Sequence, residues 1–568
     1  MALRIGNCSG FYGDRLAAMR ELLDGGEIDV VTGDYLAELT MLILWRSRLK
    51  DPAKGYATTF LRQLADCLGP AVDRGVRFVA NAGGLNPAGC ADAVRALAAR
   101  LGIDVAVAHV EGDDLLPRAE ALGLGEPLTA NAYVGALPVA EALRGGANVV
   151  VTGRVTDAAL VCGPAMWHHG WAADDYDALA GAVVAGHVLE CGTQATGGNY
   201  AFFREVPGME HVGFPVAEVF ADGSSVITKQ PGTGGLVSVG TVTAQLLYEI
   251  DSPRYLGPDV VARFDTVTLA QDGPDRVRIS GARGEPPPPD LKVALNVLGG
   301  FRNAVTFVLT GLDLEAKADL VTRQVRASFP DAEVALSRAD VGDPATNEEA
   351  TATLRVTVKD ASGERIGRAF SSAAVELGLA SYPGFTMTAP PGDATPYGVY
   401  QPAYVPREEV VPVVVHADGR RVEVPHAPVG PAAPVEVPAS EAAAVGGETR
   451  RVPLGTVLGA RSGDKGGSAN LGVWVRTPAA YGWLRDYLTV ERLAELLPET
   501  AAYAVERWEL PNLSALNFVV PGLLGEGVSS STRADPQAKG LGEWLRARVA
   551  DVPVALLAGG AAYGDGAR

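Results

Sequence analysis

The first 200 residues alternate short apolar runs with longer segments whose apolar positions recur at helical spacing. Apolar runs of four to six residues occur at 28–32, 77–80, 105–110 and 148–152, and helical patterns separate most of them. Short buried strands alternating with helices are typical of a parallel sheet that is covered by helices. The pattern therefore predicts an α/β domain over residues 1–215.

The pattern changes after this region. From residue 216 short alternating segments dominate, which predicts a β-rich α+β continuation over 216–426. Residues 427–450 are rich in Pro, Ala and Val without a regular period, and we predict a linker there. Residues 451–560 follow the order β-β-α-β-β-α, which predicts a small C-terminal α+β domain. The predicted fold class is α/β, with a mostly parallel sheet in the N-terminal region.

Composition narrows the classes of partner. The chain has 568 residues, with 67 acidic against 48 basic side chains and a net charge of -19. Phosphate binding requires clustered Lys and Arg, so we expect no nucleic acid as partner. Five widely spaced cysteines suit a reducing compartment, and neither a signal peptide nor an 18-residue apolar span is evident. We expect a cytoplasmic protein that does not bind membranes.

Glycines and polar residues follow most of the predicted strands. GNCSGFYGDR follows the first strand and contains Gly10, Gly13 and Asp14. Its spacing differs from the dinucleotide fingerprint and favours a tight turn that contacts an anionic ligand. NAGGLNP contains Asn81 and Asn86, whose amides suit a carboxyl or amide group, although a purely structural turn is the alternative. Because the ends of parallel strands share one sheet edge, we expect these loops to converge.

Charged residues follow two further strands. The strand at 148–152 is followed by Arg154, and Asp157 stands at the head of the next helix. An arginine fork held by an aspartate can bind a carboxylate or phosphate, whereas the alternative is a helix N-cap with a local ion pair. Asp113 follows the strand at 105–110 and is a third candidate for ligand binding at this edge.

Two later motifs carry further candidate chemistry. His187 and Glu190 are three residues apart on a predicted helix and form a candidate acid/base pair, with a helix-end contact as the alternative. Cys191 is either a nucleophile or a packed thiol. Arg461 and Lys465 lie in ARSGDKGGSAN, which either completes a ligand site from the second domain or docks the two domains. No metal-ligand spacing or redox fingerprint occurs, so neither a metal nor another cofactor is expected.

These motifs together resemble the acyclic terpene utilisation AtuA family. The matching segments include GFYGDR, NAGGLNP, VVVTGRVTDAAL, GHVLECGTQATGGN and LKVALNVLGGFR. ARSGDKGGSANLGV and ELPNLSALNFVV are similar to the AtuA-like C-terminal domain that accompanies the family. The resemblance covers nearly the whole chain. It implies a role in the breakdown of acyclic terpenes and branched acids, where coenzyme A thioesters are intermediates, and it assigns no catalytic residues.

The leading hypothesis is a lyase of the hydratase/dehydratase type that acts on a small carboxylic acid or an acyl-CoA thioester. His187, Glu190 and Asp157 are its candidate catalytic residues, because they suffice for proton transfer. A hydrolase or transferase that uses Cys191 or Ser9 is the second hypothesis. A non-catalytic subunit or assembly factor of an acyl-CoA-processing complex is the third. We expect a homo-oligomer.

Overall fold

The computed structural model describes residues 2–338, 342–431 and 445–557. The chain divides into two compact units. The first unit comprises Met1–Asn296, Tyr400–Leu524 and Gln537–Arg568, and the second comprises Val297–Val399 and Gly525–Pro536. The predicted domain boundaries at 215/216 and 426/427 therefore stay predictions. Residues 432–444 of the predicted linker and 558–560 of the predicted C-terminal domain lie outside the described residues.

The helices are mostly short. Their bounds, in chain order, are α1 (Ala18–Gly25), α2 (Glu38–Lys50), α3 (Thr58–Asp73), α4 (Pro87–Leu101), α5 (Leu137–Arg144), α6 (Ala159–His169), α7 (Tyr176–Leu189), α8 (Val239–Leu246), α9 (Leu314–Arg326), α10 (Gly363–Ile366), α11 (Arg368–Glu376), α12 (Pro478–Tyr487), α13 (Val490–Leu496), α14 (Leu541–Ala547) and α15 (Val554–Leu557).

The strands of the N-terminal half are β1 (Leu3–Asn7), β2 (Val30–Gly33), β3 (Arg77–Ala80), β4 (Val107–Glu111), β5 (Thr129–Ala132), β6 (Val149–Thr152), β7 (Pro215–Val219), β8 (Ser225–Lys229), β9 (Arg254–Leu256), β10 (Val261–Arg263), β11 (Thr268–Gln271), β12 (Val277–Ser280) and β13 (Arg283–Glu285). The remaining strands are β14 (Asp290–Thr310), β15 (Glu333–Arg338), β16 (Thr351–Asp360), β17 (Thr386–Met387), β18 (Thr395–Pro406), β19 (Val413–Val415), β20 (Arg421–Glu423), β21 (Thr449–Pro453), β22 (Leu458–Lys465), β23 (Ser468–Val475), β24 (Glu506–Leu510), β25 (Ala515–Val520) and β26 (Val549–Pro553).

The main sheet of the first unit has the strand order β11-β12-β8-β7-β1-β2-β3-β6-β4-β19-β20. Its central strands, β1 to β4 along this order, pair in parallel. Antiparallel strands extend it on both sides, with β7 beside β1 and β19 beside β4. The predicted fold class is confirmed, because the parallel strands carry the α/β pattern and the antiparallel strands come from the later β-rich segments.

Burial explains why these segments form parallel strands and covering helices. All four residues of β6 (VVVT) are buried, as a strand covered by helices on both faces requires. Helix α7 is buried from Leu179 to Leu189, which is expected of a helix that is apolar on all sides. The last turn of this internal helix carries His187, and Glu190 caps it. The sequence thus places two ionisable groups inside an apolar layer.

The C-terminal domain contains an antiparallel sheet in the order β22-β23-β25-β24, with a core that includes Leu471 and Phe518. The predicted order β-β-α-β-β-α is incomplete, because the structure adds α12, β26 and α15 and divides the first predicted strand between β21 and β22. Helix α12 follows β23 directly. Thr477 caps it by accepting from the Ala480 N–H at 3.2 Å, and Pro478 occupies its first turn. Arg461 and Lys465 belong to β22, which pairs with β23.

The second unit has its own small core. Its sheet has the strand order β15-β16-β14-β17, and only the later part of β14 pairs with β16 and β17. Helices α9 and α11 supply Val321 and Phe370, which belong to the same hydrophobic core as Leu354. Each candidate site residue lies in the first unit.

Candidate functional site

The loop after β1 contacts the end of α7. The Asn7 side-chain amide donates to the carbonyl oxygens of Leu189 and Glu190, at 2.7 and 3.1 Å. A Cβ on Gly10 would lie 2.8 Å from the carbonyl carbon of Cys191, so a glycine is required at this close approach. The first predicted loop and the His187–Glu190 motif therefore meet at the carboxyl edge of the sheet.

Asp14 and Gly13 shape this first loop. The Asp14 carboxylate accepts from the Gly10 N–H at 2.9 Å and from the Arg15 N–H at 2.7 Å. Gly13 has a φ of 125°, a conformation that favours glycine. These contacts set the path of the loop, and a binding role for Asp14 or Gly13 stays a prediction.

The loops after β2 and β3 bring together Asp34 and Asn81. The Asn81 amide donates to Asp34 at 2.6 Å, and its oxygen accepts from the Tyr35 N–H at 2.7 Å. Burial, and then the negative charge of Asp157, raise the pKa of Asp34 well above its ordinary value, although Arg154 opposes this effect. Asn81 therefore lies against an acid that favours its protonated form.

Asn86 has a different environment. Its side chain accepts from the Gly89 N–H at 3.0 Å as the N-cap of α4. Its amide donates to the carbonyl oxygens of Ala53 and Lys54, both at 3.1 Å. These contacts fit the structural alternative considered for this loop, and a binding role for Asn86 stays a prediction.

Arg154 and Asp157 form the centre of the cluster. Arg154 Nη2 lies 3.2 Å from Asp157 Oδ1, and Nη1 donates to the carbonyl oxygen of Leu36. The Arg154 side chain is 5% exposed and that of Asp157 is 28% exposed. Burial lowers the pKa of Arg154, but Tyr133, Asp157 and Asp34 raise it by more, so the guanidinium stays charged. The Arg154 guanidinium is therefore buried, and the Asp157 carboxyl group that pairs with it is partly exposed to solvent.

Asp113 supports Arg154 from behind. Its Oδ2 accepts from the backbone N–H of Arg154 at 2.7 Å and from the Asn131 amide at 2.9 Å. Burial raises the pKa of Asp113 to about 7. Asp113 therefore holds the backbone that carries Arg154.

His187 is completely enclosed. Its ring centroid lies 5.0 Å from that of Tyr255 and 5.3 Å from that of Phe264. Its Nδ1 lies 3.2 Å from Glu190 Oε1. Among the described residues, neither ring nitrogen of His187 has a well-formed hydrogen bond, and the same holds for Glu190 Oε2 and Gln245 Oε1. Buried polar atoms are usually hydrogen-bonded, so these four atoms depart from the usual pattern.

The protonation states of this pair are opposite to those of an ion pair. Burial, and then the positive charge of Lys465, lower the pKa of His187 to about 4. Burial, and then Asp157 and Glu249, raise the pKa of Glu190 well above its ordinary value. We therefore describe the 3.2 Å contact as a neutral imidazole beside a protonated carboxyl group, rather than as a salt bridge.

The C-terminal hairpin β22–β23 reaches this cluster. Lys465 Nζ donates to the carbonyl oxygen of Glu249 at 2.7 Å, and Asn470 Oδ1 accepts from the Glu249 N–H at 2.8 Å. Glu249 has a φ of 58°, which costs a non-glycine residue about 1 kcal/mol. The Asn470 amide also donates to the carbonyl oxygen of Ile250 at 3.1 Å. The hairpin therefore stabilises an unfavourable backbone conformation beside His187 and Glu190.

Arg461 contributes to the domain contact. Its guanidinium carbon lies 4.3 Å from the ring centroid of Tyr248, and its side chain is buried. This stacking fits the docking alternative for the ARSGDKGG motif, whereas Lys465 extends towards the charged cluster. Binding of a ligand by either residue stays a prediction.

Sequence reasoning missed several members of the cluster, which are Asp34, Tyr133, Gln245, Glu249 and Tyr255. Asp34 directly follows β2, so the strand-end rule could have found it. Glu249 and Tyr255 lie beyond α8 in irregular chain and in β9, where no local pattern marks a site. Within the described ranges, no group of three or more His, Cys, Asp or Glu side chains could hold a metal ion.

The fold and the site together define an α/β protein with a buried arginine–carboxyl–histidine cluster at the end of its parallel strands, completed by a small α+β domain. The chain belongs to the acyclic terpene utilisation family of AtuA proteins, whose family model matches residues 3–416. The model of the AtuA ferredoxin-like domain matches residues 452–550. The resemblance seen in the motifs is confirmed, and the family links the chain to acyclic terpene utilisation.

Neither the curated proteins nor the solved structures compared with this chain include a match. Across residues 2–338, 342–431 and 445–557, no helix combines the length and apolar character that a membrane crossing requires.

Proposed function

We propose that this protein is a lyase of the hydratase/dehydratase type. Its substrate is a small carboxylic acid or an acyl-CoA thioester from the breakdown of acyclic terpenes or branched acids. The observation that carries the proposal is the buried contact of 3.2 Å between Glu190 and His187, in one cluster with the Arg154–Asp157 pair. Burial raises the pKa of Glu190 and lowers that of His187, which favours a protonated carboxyl group beside a neutral imidazole. Addition of water to a conjugated double bond requires an acid, a base and a positive charge near the carbonyl oxygen.

Each step assigns one role to one side chain. Water gives a proton to Asp157 while its oxygen bonds to the β-carbon, and the double-bond electrons move onto the carbonyl oxygen. Arg154 stabilises the charge that develops there. The α-carbon then takes a proton from Glu190. Return of the proton from Asp157 to Glu190 restores both groups, so the net reaction is the addition of one water molecule.

His187 acts as a positioning residue in this scheme. It is 0% exposed and packed between Tyr255 and Phe264, so a substrate does not reach it directly. A neutral imidazole whose pKa is lowered to about 4 does not take the proton of Glu190. It keeps the Glu190 carboxyl in place and in its protonated form.

The cluster gives less support to a nucleophilic hydrolase or transferase. Burial, and then Glu190 and Glu249, raise the pKa of the Cys191 thiol, which favours its unreactive protonated form. The buried Ser9 hydroxyl donates to the Phe11 carbonyl oxygen at 3.0 Å.

Turnover by the purified chain alone separates both enzyme hypotheses from a non-catalytic subunit. Sedimentation velocity tests the expected homo-oligomer.

The decisive experiment follows oxygen from solvent. The purified protein is incubated in ¹⁸O-water with branched α,β-unsaturated acids and their coenzyme A thioesters, and mass spectrometry reads the products. We expect one ¹⁸O atom in a hydroxy product, and a decrease of about 10²- to 10⁴-fold in Glu190→Gln and Asp157→Asn. Absence of ¹⁸O from both substrate classes would contradict the proposal.

Asp259→Asn is the matched control variant. Asp259 is also buried, and burial raises its pKa to about 6. Its carboxylate accepts from the Ala136 N–H at 2.8 Å, and the charged group that acts on its pKa is Arg407 rather than Arg154. Equal losses in Asp259→Asn and Glu190→Gln would indicate a general effect of removing a buried acid rather than loss of the reaction's proton donor.

A further inference from the structure

A group of cations and phenols adjoins Arg154 on the side of Tyr133. The Arg154 guanidinium carbon lies 4.4 Å from the centroid of the Tyr133 ring. Lys292 Nζ lies 5.2 Å from the same centroid and 5.6 Å from that of Tyr400. The hydroxyl oxygens of Tyr133 and Tyr400 are 3.3 Å apart. One ring is therefore shared by two cationic groups, and two phenol hydroxyls adjoin it.

The backbone fixes this arrangement. Strand β5 pairs with the start of β14, and the Tyr133 N–H donates to the Lys292 carbonyl oxygen at 2.9 Å. The turn of the C-terminal hairpin also contributes, because a Cβ on Gly466 would lie 3.7 Å from the Tyr400 ring. Four distant parts of the chain, around β5, β14, β18 and the hairpin, converge here without belonging to the acid/base pair.

Arg154 has donor capacity left for a ligand. Two of its nitrogens bond Leu36 and Asp157, whereas Nε, in a side chain that is 5% exposed, has no hydrogen-bond partner in the described part of the chain. A ligand that carries negative oxygens would accept from the Nε–H of Arg154.

We infer that Arg154, Lys292, Tyr133 and Tyr400 form a carboxylate subsite, and that the enzyme acts on a free branched carboxylate rather than on its coenzyme A thioester. This substrate assignment rests on the proposed function. Water addition to a conjugated free carboxylate places a second negative charge on the carboxyl oxygens. Arg154 and Lys292 supply two positive charges, and the phenols supply hydrogen bonds, to stabilise it. A neutral thioester carbonyl develops one charge and needs fewer of these donors.

The test compares ligands that differ in charge. Calorimetry measures binding of 3-methylbut-2-enoate and longer branched homologues, their neutral amides, and their pantetheine thioesters. We expect the acids to bind at least about tenfold more tightly than both neutral series, since hydrogen bonds to a charged group are stronger than those between neutral groups. In Lys292→Gln, and in the double variant Tyr133→Phe with Tyr400→Phe, the acid affinity should fall about 10- to 100-fold while the amide affinity stays unchanged.

Lys54→Gln is the matched control, because Lys54 Nζ also lies over a tyrosine ring, 5.8 Å from the centroid of Tyr56. It should keep the wild-type preference for acid over amide. Thermal unfolding checks that each variant is folded, and the acid-to-amide ratio is a readout that a purely structural loss would not change. Equal binding of acid and amide, no binding of any acid at millimolar concentration, or an unchanged ratio in Lys292→Gln would overturn the subsite.

The two proposals fail separately. If Lys292→Gln loses the acid preference but the wild type incorporates no ¹⁸O, the subsite stands and the hydration reaction is refuted. If the wild type incorporates ¹⁸O into thioesters and shows no acid preference, the reaction stands and the subsite is refuted.

Discussion

Replacing Asp113 with asparagine should change how the stability of the protein depends on pH. Burial raises the pKa of Asp113 from 3.8 to about 7 in the folded chain. Below pH 3.8 both states carry the proton. As the pH rises from about 4 to 7, the unfolded chain loses it first, so the folded state becomes relatively less stable. The difference of about three pKa units, at about 1.4 kcal/mol each, corresponds to a loss of about 4 kcal/mol.

Asparagine cannot titrate, and its oxygen can still accept from Arg154 N–H and the Asn131 amide. The free energy of unfolding of Asp113→Asn minus that of wild type should therefore increase by about 4 kcal/mol between pH 4 and pH 8. Urea unfolding at intervals of one pH unit measures it. Asp259→Asn should show the same sign in a window ending near pH 6. A flat difference for Asp113→Asn would refute the reasoning.

The other predictions concern the cluster and its supports. Gly10→Ala should lower turnover at least about tenfold, because its Cβ would press on the Cys191 backbone. Gly378→Ala is the control and should keep wild-type turnover, because a Cβ there meets nothing within 4 Å. His187→Ala should lower turnover about 100-fold, and His187→Asn should restore part of it by keeping a polar group near Glu190; equal loss in both variants would argue against positioning. Asn470→Ala should lower the melting temperature and weaken turnover, since Glu249 loses the acceptor that holds its N–H; calorimetry and ¹⁸O incorporation test both effects.

Local pattern was enough to predict the parallel sheet and part of the cluster. A strand such as VVVT, which is buried on both faces, can be recognised from its apolar composition. The residues that directly follow such a strand must lie at the edge of the sheet. That rule placed Arg154, Asp157 and Asn81 correctly in space. It also selected Asn86, whose side chain instead caps α4. Strand ends thus mark where residues lie, whereas hydrogen-bond partners decide what they contact.

The rest of the cluster depends on pairings between distant segments. Lys292 reaches Tyr133 because β14 pairs with β5, and Lys465 reaches Glu249 because a hairpin of the last domain packs beside α8. Periodicity describes each segment but not its partner, so these contacts left no local signal. The protonation states of His187 and Glu190 were also hidden, because they follow from complete burial rather than from the three-residue spacing.

The hairpin contact has a consequence for how the protein is made. Glu249 and Lys465 are 216 positions apart (465 − 249), and a ribosome adds about 5–20 residues per second. Roughly 10 to 40 seconds therefore pass between the synthesis of the two residues. Until Lys465 and Asn470 emerge, the nascent chain lacks the groups that hold Glu249, and the cluster is incomplete. Translation itself delays completion of the cluster until the final domain has been made.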